Sequence, residues 1–228
     1  MTKTTKIRIL LLVAFLFSSN LASAALTPGS WVNPIGVPTP SFGTTQFVGT
    51  LPTPWNATNR VSSEGNVFYF ICPTCAGATD VNNTYGYPTL PRSTMPVVVN
   101  GPAVVVLGGQ IDTSIRFTGN GTATSPIYVI APSTTTLPFL TAPVSVTGSY
   151  VIFDYMKIGP KDAADSDFGF YLTEGTHHVV LRNSEIFGNL NRVAAVALGS
   201  WGYTGSASVS NILITHNNIH NIGDVNAT

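Results

Sequence analysis

Charged residues are scarce in this chain of 228 residues: Lys, Arg, Asp and Glu together make up 9 % of it, against about 25 % in an average soluble domain. Helical bundles and coiled coils have surfaces rich in Lys and Glu, so the low charge argues against them. Intrinsic disorder combines high charge with low hydrophobicity, whereas 44 % of these residues are hydrophobic. The formal net charge is zero, so no basic surface indicates nucleic-acid binding.

Several functional signatures are also missing from the sequence. It contains no P-loop, no dinucleotide-binding fingerprint and no nucleophile elbow. No stretch long enough for a helix shows a clean period of about 3.6 residues. These absences argue against nucleotide-dependent enzymes, against hydrolases built on a nucleophile elbow and against a predominantly helical fold.

The N-terminus has the three-part layout of a secretory signal peptide. Lys3, Lys6 and Arg8 form a basic start, Ile9–Phe17 is apolar, and Ala22–Ala24 offers a small-x-small cleavage pattern. The apolar run is shorter than the ~20 residues that span a bilayer as a helix. The alternative is a buried N-terminal strand, which the basic flank disfavours. We therefore expect residues 1–24 to be removed and the mature chain to be secreted, periplasmic or at the cell surface, without a membrane span.

Proline divides the rest of the chain. Eleven of the 16 prolines lie between Pro28 and Pro102, which predicts a loop-rich N-terminal segment and cap over residues 25–102. Short β-branched runs separated by Gly, Asn, Pro and Ser–Thr clusters fill residues 103–228, as expected for strands and turns.

Three segments of this second part align without gaps. They begin at Tyr150, His178 and Asn211 and read YVIFDYMKIGP, HVVLRNSEIFG and NILITHNNIHN. Alternate apolar positions indicate the strand period of two. Three apolar columns stay in register across the segments: Val151, Val179 and Ile212; Phe153, Leu181 and Ile214; Ile158, Ile186 and Ile219.

Repeats of this kind favour a right-handed parallel β-helix. One repeat cannot bury its own apolar side, but stacking successive coils buries a continuous inner column, and the crossover rule favours the right-handed form. The alternative is a β-sandwich, which also has short strands and frequent turns but does not predict apolar columns one coil apart. Because the last coil starts only at Asn211, we expect the β-helix to be truncated at the C-terminus.

The sequence resembles a known superfamily from about Tyr85 onward. The runs SYVIFDYMKIG, GTHHVVLRNSEIFGN and SNILITHNNIHN resemble secreted right-handed parallel β-helix proteins of the pectate-lyase-like superfamily. TGNGTATSPIYVIAP is similar to a coil of alginate- and chondroitin-lyase-like members, and YGYPTLPRSTMP to the entry segment of uncharacterised relatives. The superfamily includes polysaccharide lyases, glycoside hydrolases, epimerases and non-catalytic surface proteins, so the resemblance is specific for fold and poorly specific for activity.

This resemblance implies an exported carbohydrate-active protein whose partner is a polysaccharide or another glycan. A lyase of this type performs β-elimination on uronic-acid polymers: a base removes the proton beside the sugar carboxylate, and Ca²⁺ or basic side chains stabilise the enolate. The alternative is a non-catalytic extracellular β-helix that binds glycan or serves as a scaffold.

Two outward columns carry charge, and they admit two interpretations. If they bind and cleave an acidic substrate, the candidate catalytic residues are Lys157, Arg182 and His216, and the candidate substrate-binding residues are Asp154, Glu185 and His220. Alternatively, because neighbouring coils lie ~4.8 Å apart, Asp154–Arg182 and Lys157–Glu185 are cross-strand ion pairs. We favour the ion pairs, in which a paired lysine keeps its proton and is a poor base.

An acidic loop follows the first of the aligned segments. Its four carboxylates offer the hard oxygen ligands that Ca²⁺ prefers, although their spacing does not match the twelve-residue calcium loop. The alternative is a solvated turn in which Asp side chains cap backbone amides. The candidate Ca²⁺ ligands are Asp162, Asp165, Asp167 and Glu174.

The only two cysteines, Cys72 and Cys75, form a Cys-Pro-Thr-Cys sequence. A redox-active pair opens a helix, and the residues after Cys75 are rich in turn formers instead. A zinc knuckle needs a second pair of ligands. In an exported chain we expect a local disulfide between Cys72 and Cys75.

Overall fold

The computed structural model of the chain describes residues 42, 67–75, 78, 94–132, 134–160, 169–188, 191–192, 194–199 and 208–224. The signal peptide expected over residues 1–24 lies outside these residues, as do Asp162, Asp165 and Asp167. The described residues form strands and turns and contain no helix, so the fold is all-β. Among these residues, none belongs to a helix long and apolar enough to cross a membrane.

Most of the strands are short, and they are numbered in chain order. They are β1 (Val67–Ile71), β2 (Val98–Asn100), β3 (Ala103–Leu107), β4 (Gln110–Ile111), β5 (Ile115–Asn120), β6 (Ile127–Ile130), β7 (Phe139–Leu140), β8 (Val144–Asp154), β9 (Lys157–Ile158), β10 (Phe170–Leu172), β11 (His177–Arg182), β12 (Glu185–Phe187), β13 (Asn191–Arg192), β14 (Val196–Leu198), β15 (Ser210–Thr215), β16 (Asn218–His220) and β17 (Gly223–Asp224).

These strands form two parallel sheets, of ten and five strands, and one antiparallel pair, β13–β17. In the ten-stranded sheet, β2, β5, β10 and β14 are linked to the first half of β8, and we call this group wing 1. The second half of β8 is linked to β1, β3, β6, β11 and β15, which form wing 2. The five-stranded sheet has the order β16-β12-β9-β7-β4.

Strand β8 belongs to both wings because its backbone turns in the middle. Gly148 has a φ of 107° and Tyr150 a φ of 55°. Both values are positive, as in a left-handed turn, and glycine adopts such a backbone conformation without strain. A Cβ on Gly148 would also collide with the backbone of Gly119 in β5. Glycine at this position therefore allows both the turn and the close approach of the two strands.

The chain visits the three groups of strands in a fixed order. From β3 onward it passes from wing 2 to the five-stranded sheet, then to wing 1, and back to wing 2 beside the strand it left. Every pairing in the two large sheets is parallel. Parallel strands returning in this order are compatible with a β-helix, whereas a β-sandwich is built from antiparallel strands.

The three apolar columns expected from the sequence are confirmed. Val179 lies opposite Val151 and Ile212, and Leu181 lies opposite Phe153 and Ile214. In the five-stranded sheet, Ile186 lies opposite both Ile158 and Ile219. Because a slip of one residue would turn every apolar side chain to the opposite face, the apolar pattern explains this register.

One hydrophobic core is shared by the two wings and the five-stranded sheet. It includes Phe117 from wing 1, Phe153 from wing 2 and Ile158 from the five-stranded sheet, all at most 2 % exposed. The Phe153 ring contacts the rings of Phe117 and Phe170 edge to face, at centroid distances of 6.0 and 5.0 Å. All three groups of strands therefore turn their apolar faces toward the same interior.

The outer face of wing 2 is also apolar and buried, a feature that the sequence repeat does not predict. Phe68, Val104, Tyr128, Ile152 and Val180 lie opposite one another on successive strands and point away from the shared core. Phe68, Val104, Ile152 and Val180 are buried, and Phe68 and Val104 belong to a second apolar cluster. Continuous apolar runs such as AVVVL in β3 are typical of strands buried on both faces, and this is the signal that could have predicted it.

A ladder of side-chain hydrogen bonds fixes the corner between wing 2 and the five-stranded sheet. Ser184 Oγ accepts from the Met156 backbone N–H (3.0 Å), and Asn217 Oδ1 accepts from the Ser184 N–H (2.9 Å). Asn217 Nδ2 in turn donates to the Leu181 carbonyl at 2.8 Å. These bonds satisfy backbone groups that the strands leave unpaired as they change sheet. An asparagine of the repeat thus bonds the backbone of the turn.

The N-terminal part of the described chain joins wing 2 through β1, which runs parallel to β3. Directly after β1, Cys72 and Cys75 form the expected disulfide. Cys72 Sγ and the Thr74 hydroxyl are within hydrogen-bonding range, and Thr74 in turn lies close to Gly109. The disulfide therefore closes a turn at the edge of wing 2, as predicted for a local structural bridge.

Candidate functional site

A groove of about 500 Å³ opens on the outer face of wing 1. Small-molecule sites occupy about 300–1,000 Å³, so the groove is large enough for a ligand. It extends from Val97, next to β2, to Tyr171 in β10, and therefore crosses successive parallel strands. None of the candidate catalytic or binding residues from the sequence lies in it.

The floor of the groove is formed by the outward residues of β5, β8 and β10. Arg116 lies opposite Ser145, and Ser145 lies opposite Tyr171. Thr118 lies opposite Thr147 in a second column. Because successive strand residues point to opposite faces, the apolar neighbours Ile115 and Phe117 enter the core while these polar side chains face outward.

The polar groups of the groove are donors and acceptors of several kinds. The hydroxyls of Thr147 and Thr173 lie 2.6 Å apart and share a hydrogen bond. Arg116 is exposed, and within the described part of the chain it makes no ion pair. As far as the described residues go, the groove therefore offers a guanidinium without an ion-pair partner beside a row of hydroxyl groups.

A sequence signal for this groove exists but is short. The strands IRFTG, VSVTG and FYLTE align so that Thr118, Thr147 and Thr173 coincide and Arg116 falls in one column with Ser145 and Tyr171. Five residues rarely establish a repeat, so these runs by themselves indicate only short strands. The structure supplies the missing information, which is that these strands are neighbours.

Three of the sequence candidates meet on the outer face of the five-stranded sheet. Glu185 accepts from Lys157 Nζ at 3.2 Å and contacts His220 Nε2 at 3.1 Å. Lys157 Nζ also lies over the rings of Phe139 and Phe187, 5.6 and 5.1 Å from their centroids. Phe187 stacks on both Phe139 and His220, with centroid distances of 5.9 and 5.8 Å. The expected Lys157–Glu185 ion pair is confirmed.

Lys157 and His220 stabilise the negative charge of Glu185. Partial burial alone would raise the pKa of Glu185, but the hydrogen bonds from His220 and Lys157, together with the Lys157 charge, outweigh it and lower the pKa below its ordinary value. Glu185 is therefore held as a carboxylate that binds two bases of its own chain. In this arrangement neither Lys157 nor Glu185 is available to a substrate without first breaking the pair.

The second expected ion pair, Asp154–Arg182, lies on the outer face of wing 2 and is also confirmed. Arg182 Nε donates to Asp154 Oδ2 at 2.8 Å, and Asn183 Nδ2 donates to Asp154 Oδ1 at the same distance. Both charged residues are buried. Burial raises the pKa of Asp154, against the opposing effects of the Arg182 charge and of the hydrogen bonds from Asn183 and Arg182.

His216 occupies the corner turn, apart from both ion pairs. It has a positive φ of 53°, and its Nδ1 lies 2.8 Å from the Thr215 hydroxyl. Asn183 and Tyr155 occupy the same turn position one and two repeats earlier, respectively, also with positive φ. The structure thus brings Lys157, Glu185 and His220 together, and places Asp154–Arg182 and His216 elsewhere.

The aromatic cluster at the corner between the wings is a further concentration of histidines. The ring of Tyr150 stacks on His178 at 4.4 Å, and Phe42 contacts both rings edge to face. His177 Nδ1 lies 2.8 Å from His178 Nδ1, and burial, with the neighbouring His177, lowers the pKa of His178. The rings of this cluster therefore pack on one another.

Of the four candidate Ca²⁺ ligands, only Glu174 is among the described residues, in the turn between β10 and β11. Within that described part, no group of three or more His, Cys, Asp or Glu side chains is placed to hold a metal ion. Comparison of the chain with models of protein families, with curated proteins and with solved structures finds no match. The groove on wing 1 is thus the feature whose geometry best fits a ligand.

Proposed function

We propose that this chain is an exported right-handed parallel β-helix of the pectate-lyase-like kind that binds an acidic glycan without cleaving it. The glycan lies in the groove on wing 1, across β5, β8 and β10. The observation that carries the proposal is the exposed guanidinium of Arg116, which has no ion-pair partner among the described residues, beside outward columns of hydroxyl groups in an open groove.

The chemistry of the groove fits a sugar polymer. Sugar hydroxyls both donate and accept hydrogen bonds, as do the side chains of Ser145, Thr118 and Thr147. A guanidinium binds a carboxylate through two parallel hydrogen bonds, so Arg116 favours a glycan that carries uronic acids. Strands of one sheet lie ~4.8 Å apart, and the groove therefore presents a regular succession of polar groups to an extended polymer.

The charged residues outside the groove support binding over cleavage. β-Elimination requires a free base close to a cation that stabilises the enolate. Lys157 and His220 are both bound to Glu185, and Arg182 is buried with Asp154. None of these residues can act on a substrate without first leaving its partner, so they stabilise the fold in this proposal.

The β-helix itself is supported by two features of the strands. The chain returns to each group of strands in the same order, always with parallel pairing, and the three groups share one core. A stack of such units is extended by adding further coils.

The test is a calorimetric titration of the purified chain with uronate oligosaccharides and with neutral oligosaccharides of equal length. We expect the uronate series to bind, and Arg116→Gln to weaken that binding about tenfold or more, since a hydrogen bond to a charged group contributes about 1.5–3 kcal/mol. Lys157→Gln is the matched control, because it removes a cation from the five-stranded sheet, outside the groove, and should leave the affinity unchanged.

Two results would reject the proposal in different ways. If uronate oligosaccharides do not bind, or if they bind equally well to the Arg116→Gln variant, the groove is not the glycan site. If prolonged incubation produces the ultraviolet absorbance of an unsaturated uronate, the protein is a lyase and the non-catalytic part of the proposal is wrong.

A further inference from the structure

Two consecutive histidines meet at the corner between the wings, where β11 begins. His177 Nδ1 lies 2.8 Å from His178 Nδ1, and the two rings stand almost perpendicular to each other, at 85°. Both residues are half-buried. The pair therefore presents two imidazole nitrogens side by side at a surface that solvent can reach.

The backbone of the corner explains why these side chains meet. Successive side chains of a β-strand point to opposite faces, which would keep neighbouring histidines apart. His178 instead has a φ of 53°, and this left-handed conformation interrupts the alternation. Tyr150 and Asn211 occupy the same turn position in the neighbouring repeats, with φ values of 55° and 54°. The turn thus brings His178 to the side of the chain on which His177 lies.

Aromatic contacts hold both rings in place. The ring of Tyr150 stacks on His178 at a centroid distance of 4.4 Å and meets His177 edge to face at 5.8 Å. Phe42 contacts His178 edge to face at 6.2 Å. The outermost torsion of a histidine side chain has broad energy minima, so a small ring rotation can re-aim each Nδ1 without disturbing the positions of the rings.

The distance between the two nitrogens favours one class of metal ion. Imidazole binds zinc, copper, iron and nickel, with metal–nitrogen bonds of about 2.0–2.1 Å in zinc sites. At that bond length, nitrogens 2.8 Å apart subtend an angle of about 85–90° at the metal, whereas a tetrahedral ion needs them about 3.3 Å apart. A right angle between neighbouring ligands is the square-planar or tetragonal arrangement of Cu(II) and Ni(II).

We propose that His177 and His178 bind one Cu(II) ion through their two Nδ1 atoms, with water in the remaining coordination positions. Copper is the ion that nitrogen and oxygen ligands bind most tightly among the divalent first-row metals. Both rings then carry their proton on Nε2, so the ring that donates in the metal-free pair transfers its proton from Nδ1 to Nε2 through solvent. Such an open site needs only two protein ligands, and the described residues offer no larger group.

The neighbouring repeats show that the corner does not depend on histidine. Ser149 and Ser210 lie opposite His177, and Tyr150 and Asn211 stand where His178 does. The same turn therefore forms with other side chains, and a contact between two imidazoles is not needed to build it. The copper site is also independent of the proposed glycan binding, because neither histidine lines the groove on wing 1.

The test is a calorimetric titration of the full chain with Cu(II) sulfate in a buffer that does not bind copper, with electron paramagnetic resonance to count the nitrogen ligands. We expect one ion bound by two nitrogens. His177→Gln and His178→Asn should each raise the dissociation constant at least about tenfold, since even the loss of an outer-shell partner costs that much. Circular dichroism establishes that the variants fold.

His216→Asn is the matched control. His216 also stands in a left-handed turn, with a φ of 53°, but its Nδ1 lies beside the Thr215 hydroxyl instead of a second imidazole. Asparagine occurs naturally at both turn positions, as Asn211 and Asn183, so each replacement suits its backbone. We expect His216→Asn to leave the copper affinity unchanged.

Three results would overturn the proposal. The wild-type chain binds no copper; or folded His177→Gln and His178→Asn variants bind it as tightly as His216→Asn does, which would show an adventitious ion only; or the bound copper has a single nitrogen ligand, which would mean that the two rings remain hydrogen-bonded to each other.

Discussion

Two ion pairs in this molecule have the same register and very different surroundings. Asp154–Arg182 and Lys157–Glu185 each join residues that lie directly opposite on neighbouring parallel strands. The side chains of Arg182 and Asp154 are only 6 % and 4 % exposed, whereas those of Lys157 and Glu185 are 37 % and 30 % exposed. The register decides which residues pair, and the surroundings decide how much free energy depends on the pairing.

The difference arises from the faces on which the pairs lie. Asp154 and Arg182 continue the outer face of wing 2, where Ile152 and Val180 are also buried. Lys157 and Glu185 lie on the five-stranded sheet, where Phe139 and Phe187 cover them only in part. A buried charge that loses its partner cannot be hydrated, whereas an exposed charge can.

The largest effect is expected from separating the buried pair. Asp154→Ala removes the carboxylate to which the buried Arg182 Nε donates, and we expect the free energy of unfolding to fall by about 3–5 kcal/mol. Urea denaturation at neutral pH measures this change. A loss below about 1 kcal/mol, the range of exposed pairs, would show that water reaches Arg182 and would remove the contrast between the two pairs.

The matched control removes both charges of the buried pair together. Asp154→Leu combined with Arg182→Met replaces the pair by apolar side chains, and such replacements are often neutral or stabilising. We expect the double variant to recover most of the stability lost in Asp154→Ala. If it is as unstable as the single variant, the ion pair contributes specific contacts that apolar packing cannot replace.

An intermediate effect is expected at the corner that separates the two pairs. Ser184→Ala removes the acceptor of the Met156 N–H and the donor to the Arg182 carbonyl, both in a buried environment. An unsatisfied buried group costs about 1–3 kcal/mol, and urea denaturation should show a loss of that size. Ser184→Thr, which keeps the hydroxyl, is the control and should lose less than Ser184→Ala.

A small effect is expected from the exposed pair at neutral pH. Lys157→Gln should lower the free energy of unfolding by less than about 1 kcal/mol, as do most exposed ion pairs. Part of any loss would come from the contact of Lys157 Nζ with the rings of Phe139 and Phe187. Repeating the measurement in high salt separates these terms, because salt screens the ion pair. A loss comparable to that of Asp154→Ala would contradict the comparison.

The smallest effects are expected from pH, and the two carboxylates should act in opposite directions. The pKa of Glu185 is lowered in the folded state, so its stabilisation is complete above its ordinary value near 4.5 and is lost as the pH falls through the folded pKa. The pKa of Asp154 is raised above 3.8, so its contribution is greatest in acid and declines as the pH rises through the folded pKa.

Unfolding of Glu185→Gln and Asp154→Asn from about pH 3 to about pH 6 tests these signs. The stability difference between wild type and Glu185→Gln should grow as the pH rises. The difference between wild type and Asp154→Asn should change in the opposite direction over its own window. If the stability differences of the two variants change in the same direction with pH, burial is not the dominant effect on the pKa of Asp154.

The repeat at residues 150–221 shows how far the sequence alone predicts the fold. Its three apolar columns and both ion pairs follow from one alignment, because a period of two and a constant offset determine which residues are opposite. The disulfide follows from having only two cysteines, three residues apart. The candidate catalytic set was assembled from residue type, and the register separates its members: Lys157 is on the five-stranded sheet, Arg182 on wing 2 and His216 in the turn between them.

The groove could not be predicted in the same way. Arg116, Ser145 and Tyr171 are 29 and 26 residues apart, and the strands that carry them share only short patterns. Their proximity depends on the lengths of the loops between them, which no local pattern determines. The burial of the outer face of wing 2 likewise depends on contacts beyond the strand itself.

In the three aligned repeats, the corner between wing 2 and the five-stranded sheet has a constant length, and the remainder of the repeat does not. Asp154, Arg182 and Thr215 are each followed three positions later by the first residue of the next strand, Lys157, Glu185 and Asn218. Equivalent wing 2 residues are nevertheless 28 and then 33 residues apart, as Val151, Val179 and Ile212 show. Within these repeats the added length lies between wing 1 and wing 2, because Leu172 precedes His177 by five residues whereas Leu198 precedes Ser210 by twelve. The register is kept across this difference, which makes the segment between β14 and β15 the natural position for grafting a foreign loop or an affinity tag.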